Sequence, residues 1–223
     1  MRPVQLPDGA PCELALWRLD LDIRAPVPQL DWMLLTPAEK AFNQRFRQPG
    51  DRVRHACTRA ALRRLLALRL HMQPQQVPLR CSARGKPLLD MEMGAGRLAF
   101  NVSHAGCHAL IAISTRGDVG VDIECCDPDL DVAALEALVL SPEELAATPS
   151  HRLDFTERWV VKEAVLKAIG SGVSEHLQQL CVARAAERYL LRHRQRDWPH
   201  LCAWPLPAPA GYRAALAYAW PTF

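Results

Sequence analysis

Val119-Gly120-Val121-Asp122-Ile123-Glu124 reads as a β-strand with two unlike faces. Alternate side chains of a strand share a face, so Val119, Val121 and Ile123 are expected to pack inward. Asp122 and Glu124 then project together from the other side, with Cα atoms roughly 7 Å apart. Two carboxylates so placed repel unless a cation or solvent intervenes. Magnesium in particular takes one or two carboxylates together with substrate phosphates. An acidic, solvated strand face has the same pattern, so the stretch acquires meaning only from what surrounds it.

On its N-terminal side, residues 98–102 and 108–114 read as two more strands, and residues 12–19 (CELALWRL) alternate as another. Thr36-Pro37-Ala38-Glu39 combines an N-cap, proline at N1 and glutamate at N3, which starts a short helix running to about Phe46. After a Pro49-Gly50 break, residues 51–72 carry Val53, Ala56, Ala60, Leu62, Leu66 and Leu70 at helical spacing, with Pro74 beyond the end. Residues 80–89 read as an irregular extended segment.

On the C-terminal side, helices are expected near 131–139 and 141–147, the latter opened by Ser141-Pro142-Glu143-Glu144. A longer helix over 151–169 stops at Gly170-Ser171-Gly172, and strands lie near 180–191, 200–204 and 211–219. Strands and helices occur in both halves without regular βαβ alternation, which predicts an α+β fold. The halves divide near residue 108, giving 1–107 and 108–223, with no flexible linker between them.

Composition narrows the class. The chain has 223 residues, 49% hydrophobic and 23% charged, with a formal net charge of +3, too small to demand a nucleic-acid partner. No apolar run approaches the roughly 20 residues of a membrane span. The N-terminus MRPVQLPDGAPCELALW lacks a charged head followed by an apolar stretch, so a cytoplasmic protein is expected. The eight cysteines contain no CxxC pair, which argues for reduced thiols rather than zinc. Of 27 lysines and arginines only Lys40, Lys86, Lys162 and Lys167 are lysine, the compact and titratable kind of cation.

Three further constellations carry chemistry. In Trp159-Val160-Val161-Lys162-Glu163-Ala164-Val165-Leu166-Lys167, a stripe of Val161, Ala164, Val165 and Ala168 faces a core. Glu163 and Lys167 sit one turn apart on the opposite side, with Trp159 close by and Lys162 on the flank. Phe100-Asn101-Val102-Ser103-His104 is a strand ending in groups able to donate to a phosphate; a Ser-His hydrolase is excluded because no GxSxG is present. The helix through 51–72 is rich in arginine, and the spacing of Arg52, Arg59 and Arg63 puts them on one face that could grip a phosphate or an acidic partner.

Taken in this order, the motifs resemble the 4′-phosphopantetheinyl transferases that activate peptide and polyketide synthetases. The resemblance rests on GKP at 85–87, FNVSH at 100–104, GVDIE at 120–124 and WVVKEAVLKAIGSG at 159–172, with the TPAEK helix start at 36–40. It implies two similar α+β halves related by a pseudo-twofold, with coenzyme A in the cleft between them. The N-terminal half would hold the 3′-phosphate and adenine, and the C-terminal half the metal and the catalytic helix. It further implies that Asp122, Glu124 and Glu163 hold Mg2+ against the coenzyme A pyrophosphate. Glu163, directly or through a water, would take the proton of the carrier serine, and Lys167 would stabilise the leaving phosphate. Lys162 would add a second cation, Ser103 and His104 would meet coenzyme A phosphates, Lys86 within GKP would line the adenine, and Arg54 and His55 would grip the 3′-phosphate. The partner would be an apo acyl carrier or peptidyl carrier protein, and the enzyme a monomer acting on no nucleic acid and no membrane. Two departures are visible: Val160 follows Trp159 where many relatives have a small polar residue, and Glu39 stands where the family has a basic residue, so that Lys40, Arg45 or Arg47 would supply the contact. A magnesium-dependent nuclease, or a non-catalytic nucleic-acid-binding module, is the rival reading; the first leaves GKP and FNVSH unexplained, the second the acidic triad.

Overall fold

The computed structural model describes residues 1–81, 87–90, 98–147, 153–171 and 176–221. It is α+β, as the sequence predicts. The first half runs β1 (Arg2–Val4), β2 (Leu14–Asp20), α1 (Gln29–Trp32), α2 (Pro37–Asn43), α3 (Pro49–Leu70), a 3₁₀ turn (Pro74–Gln76), β3 (Leu79–Cys81), β4 (Pro87–Leu89), β5 (Ala99–Ala105) and β6 (His108–Ser114). The second runs β7 (Asp118–Cys125), α4 (Val132–Val139), α5 (Pro142–Ala146), α6 (Phe155–Ile169), a 3₁₀ turn (Leu177–Gln179), β8 (Leu180–Arg184), β9 (Tyr189–His193), β10 (Leu201–Pro205) and β11 (Tyr212–Ala219).

Strand order is β1-β2-β6-β5 in one antiparallel sheet and β7-β11-β10-β9-β8 in the other, with β3-β4 as a separate pair. Strand β6, which begins at the expected division near 108, is an inner strand of the first sheet, paired to β2 and β5. The single strand expected over 180–191 is a hairpin, β8 paired antiparallel to β9, because Ala185 N donates to Arg188 O in a tight turn. The stretch around 80–89, expected to be irregular, contributes the pair β3-β4.

Side-chain alternation builds four layers. Leu14, Leu16, Leu110 and Ala112 of the first sheet meet Val119, Val121, Ile123, Leu216 and Tyr218 of the second in one core between the sheets. On the outer face of the first sheet, Leu62, Leu65 and Leu66 of α3 pack on Ala109, Ile111 and Ile113. On the outer face of the second, Val161, Ala164, Val165 and Ala168 of α6 pack on Ala215, Ala217 and Ala219. The inward set expected of β7 is thus found, and the opposite face of β7, with Asp122 and Glu124, is turned to α6.

The two halves repeat the same chemistry. Thr36 and Ser141 cap α2 and α5, and their N3 residues Glu39 and Glu144 close both capping boxes, each accepting a bond from the cap backbone N–H at 2.8 Å. Each glutamate also receives a buried cation from the long helix that follows. Arg63 donates to Glu39 at 2.9 and 3.0 Å and to Pro74 O and Val77 O at 2.9 and 3.1 Å. Lys162 donates to Glu144 at 2.6 Å, Val139 O at 2.7 Å and Leu177 O at 2.8 Å. One turn earlier, Arg59 and Arg158 lie 3.6 and 3.4 Å from the same carboxylates. In both halves a helix start, a long helix and a 3₁₀ turn are tied by one charge-assisted knot.

Gly120 sets the distance between β7 and α6. A Cβ there would lie 1.9 Å from Ala164 O and 2.6 Å from Ala168 N, both backbone atoms unable to swing aside. Among the described residues no helix is long and apolar enough to cross a membrane.

Gly120→Ala is therefore expected to cost at least about 3 kcal/mol, the upper end for overpacking. The check is the denaturant midpoint of the purified variant; a change below about 1 kcal/mol would mean that α6 moves off the strand freely.

Candidate functional site

The site forms where the edge strands β5 and β7 meet under α6. Here side chains replace a backbone ladder: Val121 N donates to Asn101 Oδ1 at 3.0 Å, and Ile123 N to Ser103 Oγ at 3.4 Å. Asn101 and Ser103, two residues apart on one face of β5, thus satisfy an edge that would otherwise carry unpaired amides. Ser103 Oγ spends its own proton on Asp122 Oδ1 at 2.7 Å. Its hydroxyl thereby orients Asp122. Asn101 was not singled out from the sequence, although its period-two spacing from Ser103 was a usable signal.

Across from Ser103, Lys167 Nζ donates to the same Asp122 Oδ1 at 2.6 Å and lies 3.4 Å from Val121 O. Asp122 is 2% exposed, and its Oδ2 is buried without a hydrogen-bond partner. Glu163, one turn before Lys167, is also buried. Desolvation raises its carboxyl to about 7; Lys167 opposes the rise, and Asp122 and Glu124 add to it. Glu124 is raised as well, first by burial and then by Asp122, with Lys167 opposing. The three carboxylates expected to act together are therefore within electrostatic reach of one another and under-compensated by a single lysine.

The fit to a metal can be tested on this geometry. Among the described residues no group of three or more histidine, cysteine or carboxylate side chains is arranged to hold an ion unaided. A hard ion of the magnesium type needs only one or two carboxylates, the rest of its shell being phosphate and water. The orphaned Asp122 Oδ2 and the surplus negative charge suit an ion that arrives with a phosphate ligand.

A second cluster lines a cleft of about 210 Å³ formed by Phe42, Phe46, His55, Arg59, Pro87 and His104, among others. His55 lies against both phenyl rings, with centroids 5.3 and 5.4 Å away. Its pKa falls to about 4, first by desolvation and then through the Arg59 cation. His104, on the exposed side of β5, is also lowered, by desolvation first, with Arg54 and Lys167 contributing. Arg54, paired to Asp51 at 2.9 Å, and Lys167 are thus both felt at His104, which links the two clusters. Pro87 of GKP lines the cleft, whereas Lys86 lies outside the described residues.

Two expectations fail on burial. Lys162 is fully buried and its three protons go to Glu144, Val139 O and Leu177 O, so it is removed from the expected coenzyme A contacts. Periodicity placed it on the flank of the Glu163 face, but α5 and the 3₁₀ turn at 177 cover that flank. Likewise Arg63 is 1% exposed, and of the expected arginine face Arg59 lines the cleft, while the exposed Arg52 donates to Phe46 O. Glu39 replaces no phosphate contact; its carboxylate is the internal anchor of Arg63. Trp159 is half-buried, stacks on Phe155 at 6.4 Å, and with Glu124, Leu130 and Leu135 lines a second cleft of about 400 Å³.

Residues 118–217 match the family model of the 4′-phosphopantetheinyl transferase superfamily, and residues 29–116 match that of the 4′-phosphopantetheinyl transferase N-terminal region. A Synechocystis protein named among the 4′-phosphopantetheinyl transferases is 34% identical over 80% of this chain and 75% of its own. The 4′-phosphopantetheinyl transferase HetI of Nostoc is 34% identical over 77% of this chain and 74% of its own. The L-aminoadipate-semialdehyde dehydrogenase-phosphopantetheinyl transferase of Homo sapiens is 27% identical, and the match spans 54% of its length.

Two outcomes are expected. Lys162→Met should cost about 3–5 kcal/mol of stability, the penalty for stranding Glu144, while the folded fraction keeps its KM for coenzyme A; a raised KM at unchanged stability would return Lys162 to the binding site. Glu163 has a folded pKa near 7 against 4.5 for the unfolded chain, so its contribution is present below about pH 4.5 and is lost as pH rises through 7. With divalent ions chelated, Glu163→Gln should therefore be more stable than wild type at pH 8 by about 1–3 kcal/mol and no more stable at pH 4.5. Melting curves at the two pH values decide it.

Proposed function

The chain belongs to the 4′-phosphopantetheinyl transferase superfamily, and on that premise we propose that Asp122, Glu124 and Glu163 hold a magnesium ion while Glu163 and Lys167 serve the chemistry of transfer. The reaction moves the 4′-phosphopantetheine arm of coenzyme A to a serine of an apo carrier protein and releases 3′,5′-ADP. The observation that carries the residue assignment is the meeting of Asp122, Glu163 and Lys167 at the seam of the two sheets, with Asp122 Oδ2 unpartnered. When bound, the ion neutralises charge on the pyrophosphate and makes the attacked phosphorus more electrophilic.

Each protein group then has a defined task. Ser103 and Lys167 hold Asp122 Oδ1, which leaves Oδ2 without a hydrogen-bond partner in the protein. Glu163, with a carboxyl near 7, is suited to accept the proton of the serine hydroxyl at neutral pH. Lys167, half-exposed beside it, offers an ammonium to the leaving phosphate. Arg54, His55 and His104 take coenzyme A phosphates, with Lys86 and Pro87 beside the adenine. The first sheet and its helices supply the 3′-phosphate and adenine contacts; β7 and α6 supply the metal site and base. Both sets lie in one chain, which supports a monomer, and we read it as a cytoplasmic enzyme acting on acyl or peptidyl carrier proteins. The comparisons give the nuclease and nucleic-acid-binding readings no support.

Intact-mass analysis of an apo carrier domain, incubated with enzyme, coenzyme A and magnesium, tests the assignment. Chelator should abolish transfer and magnesium restore it. Glu163→Gln should fold, bind coenzyme A and lose at least about a hundredfold in rate. Lys167→Ala should lower kcat far more than it changes KM, whereas Lys86→Ala and His55→Ala should chiefly raise KM. Wild-type rates from the glutamine variant would remove Glu163 as both base and essential ligand.

A further inference from the structure

We infer that Asn43 is a positioning residue for the coenzyme A site: it locks His55 as the neutral Nε2–H tautomer, so that the ring offers the 210 Å³ cleft a directional donor without a charge. The inference rests on the reading of His55 as a phosphate contact. Asn43 is 2% exposed at the end of α2. Its amide nitrogen donates to Arg52 O at 2.8 Å, and a carbonyl can only accept, so this bond fixes which way the amide faces. The second proton of the same nitrogen then points to His55 Nδ1, 3.0 Å away. Nδ1 must therefore carry a lone pair, and the ring proton resides on Nε2.

The other neighbours reinforce this state. From α3, Arg59 opposes an imidazolium; from β5, His104 does so as well; from α2, Glu39 alone favours one, and its carboxylate is engaged by Arg63 and Arg59. Phe42 and Phe46 form a three-ring cluster with His55 and give it no polar partner. The cleft thereby separates two tasks: Arg59 supplies charge, and His55 supplies direction. An imidazolium would repel Arg59 before any ligand arrived, and the Nδ1–H tautomer would turn a bare lone pair toward a phosphate.

Long-range ¹H–¹⁵N spectra of the histidine rings in the whole enzyme read the tautomer directly and need no variant. The expected result is an Nε2–H signal for His55 from pH 6 to 8; an Nδ1–H or doubly protonated ring overturns the inference. Asn43→Leu removes the donor and should yield mixed tautomers, with KM for coenzyme A up by about three- to tenfold, the worth of one hydrogen bond. With 3′-dephospho-coenzyme A the same substitution should change KM by less than about twofold. Asn43→Asp reverses the polarity at one atom and should move the proton to Nδ1 and raise the ring's pKa; an unshifted ring in this variant also overturns the inference. His55→Ala separates the two layers. Unchanged KM there defeats the phosphate reading and the positioning role with it, whereas a raised KM together with an Nδ1–H ring defeats the role of Asn43 alone.

Discussion

At Gly120 the backbone of β7 lies against the backbone of α6 with no room for a methyl group, and the rest of the site depends on that approach. Strand residues two and four positions on, Asp122 and Glu124, are thereby held beneath Glu163 and Lys167, which lie one helical turn apart. The alanines 215, 217 and 219 of β11 extend the same small-residue floor, so α6 settles close to the sheet along its length. Carboxylates brought this near in a buried place cannot all be comfortable. Their discomfort appears as the raised Glu163 and Glu124 and the unpartnered Asp122 oxygen. Close packing is here the source of the electrostatic strain.

The second organising feature is the repeated knot of capping-box glutamate, helix cation and 3₁₀ carbonyls. Glu39 with Arg63 and Glu144 with Lys162 occupy matching places in the element order of the two halves. Each knot uses a buried charge pair, which contributes little net stability against an apolar substitute but allows few alternative packings. Because both knots grip the helices that border the site, the arrangement of α3 and α6 on their sheets is held from outside the cleft. The cleft itself is lined by Arg59, His55 and His104, which neither knot uses as its buried cation.

The sequence made much of this legible. Capping boxes at Thr36 and Ser141, the long helices, the period-two alternation of β7 and the α+β class all follow from local rules, because each depends on residues within one or two turns of chain. The Glu163–Lys167 pairing on one helix face was readable for the same reason. The partners of Ser103, Arg63 and Lys162 were not readable because they lie 19, 24 and 18 positions away in the chain, and residue type alone does not distinguish a cation facing phosphate from one facing a buried glutamate.

What the sequence by itself determined, then, is which residue types stand together on each strand and helix face, and through its motifs the family to which the chain belongs. What only the tertiary structure decided is which of those faces stay open. Lys162 and Lys167 are five residues apart on one helix, yet α5 and a 3₁₀ turn close over the first while the seam between the sheets leaves the second beside Asp122. That choice belongs to contacts between elements distant in sequence: burial removes water from one ammonium and demands three fixed acceptors, and it leaves the other able to meet a ligand.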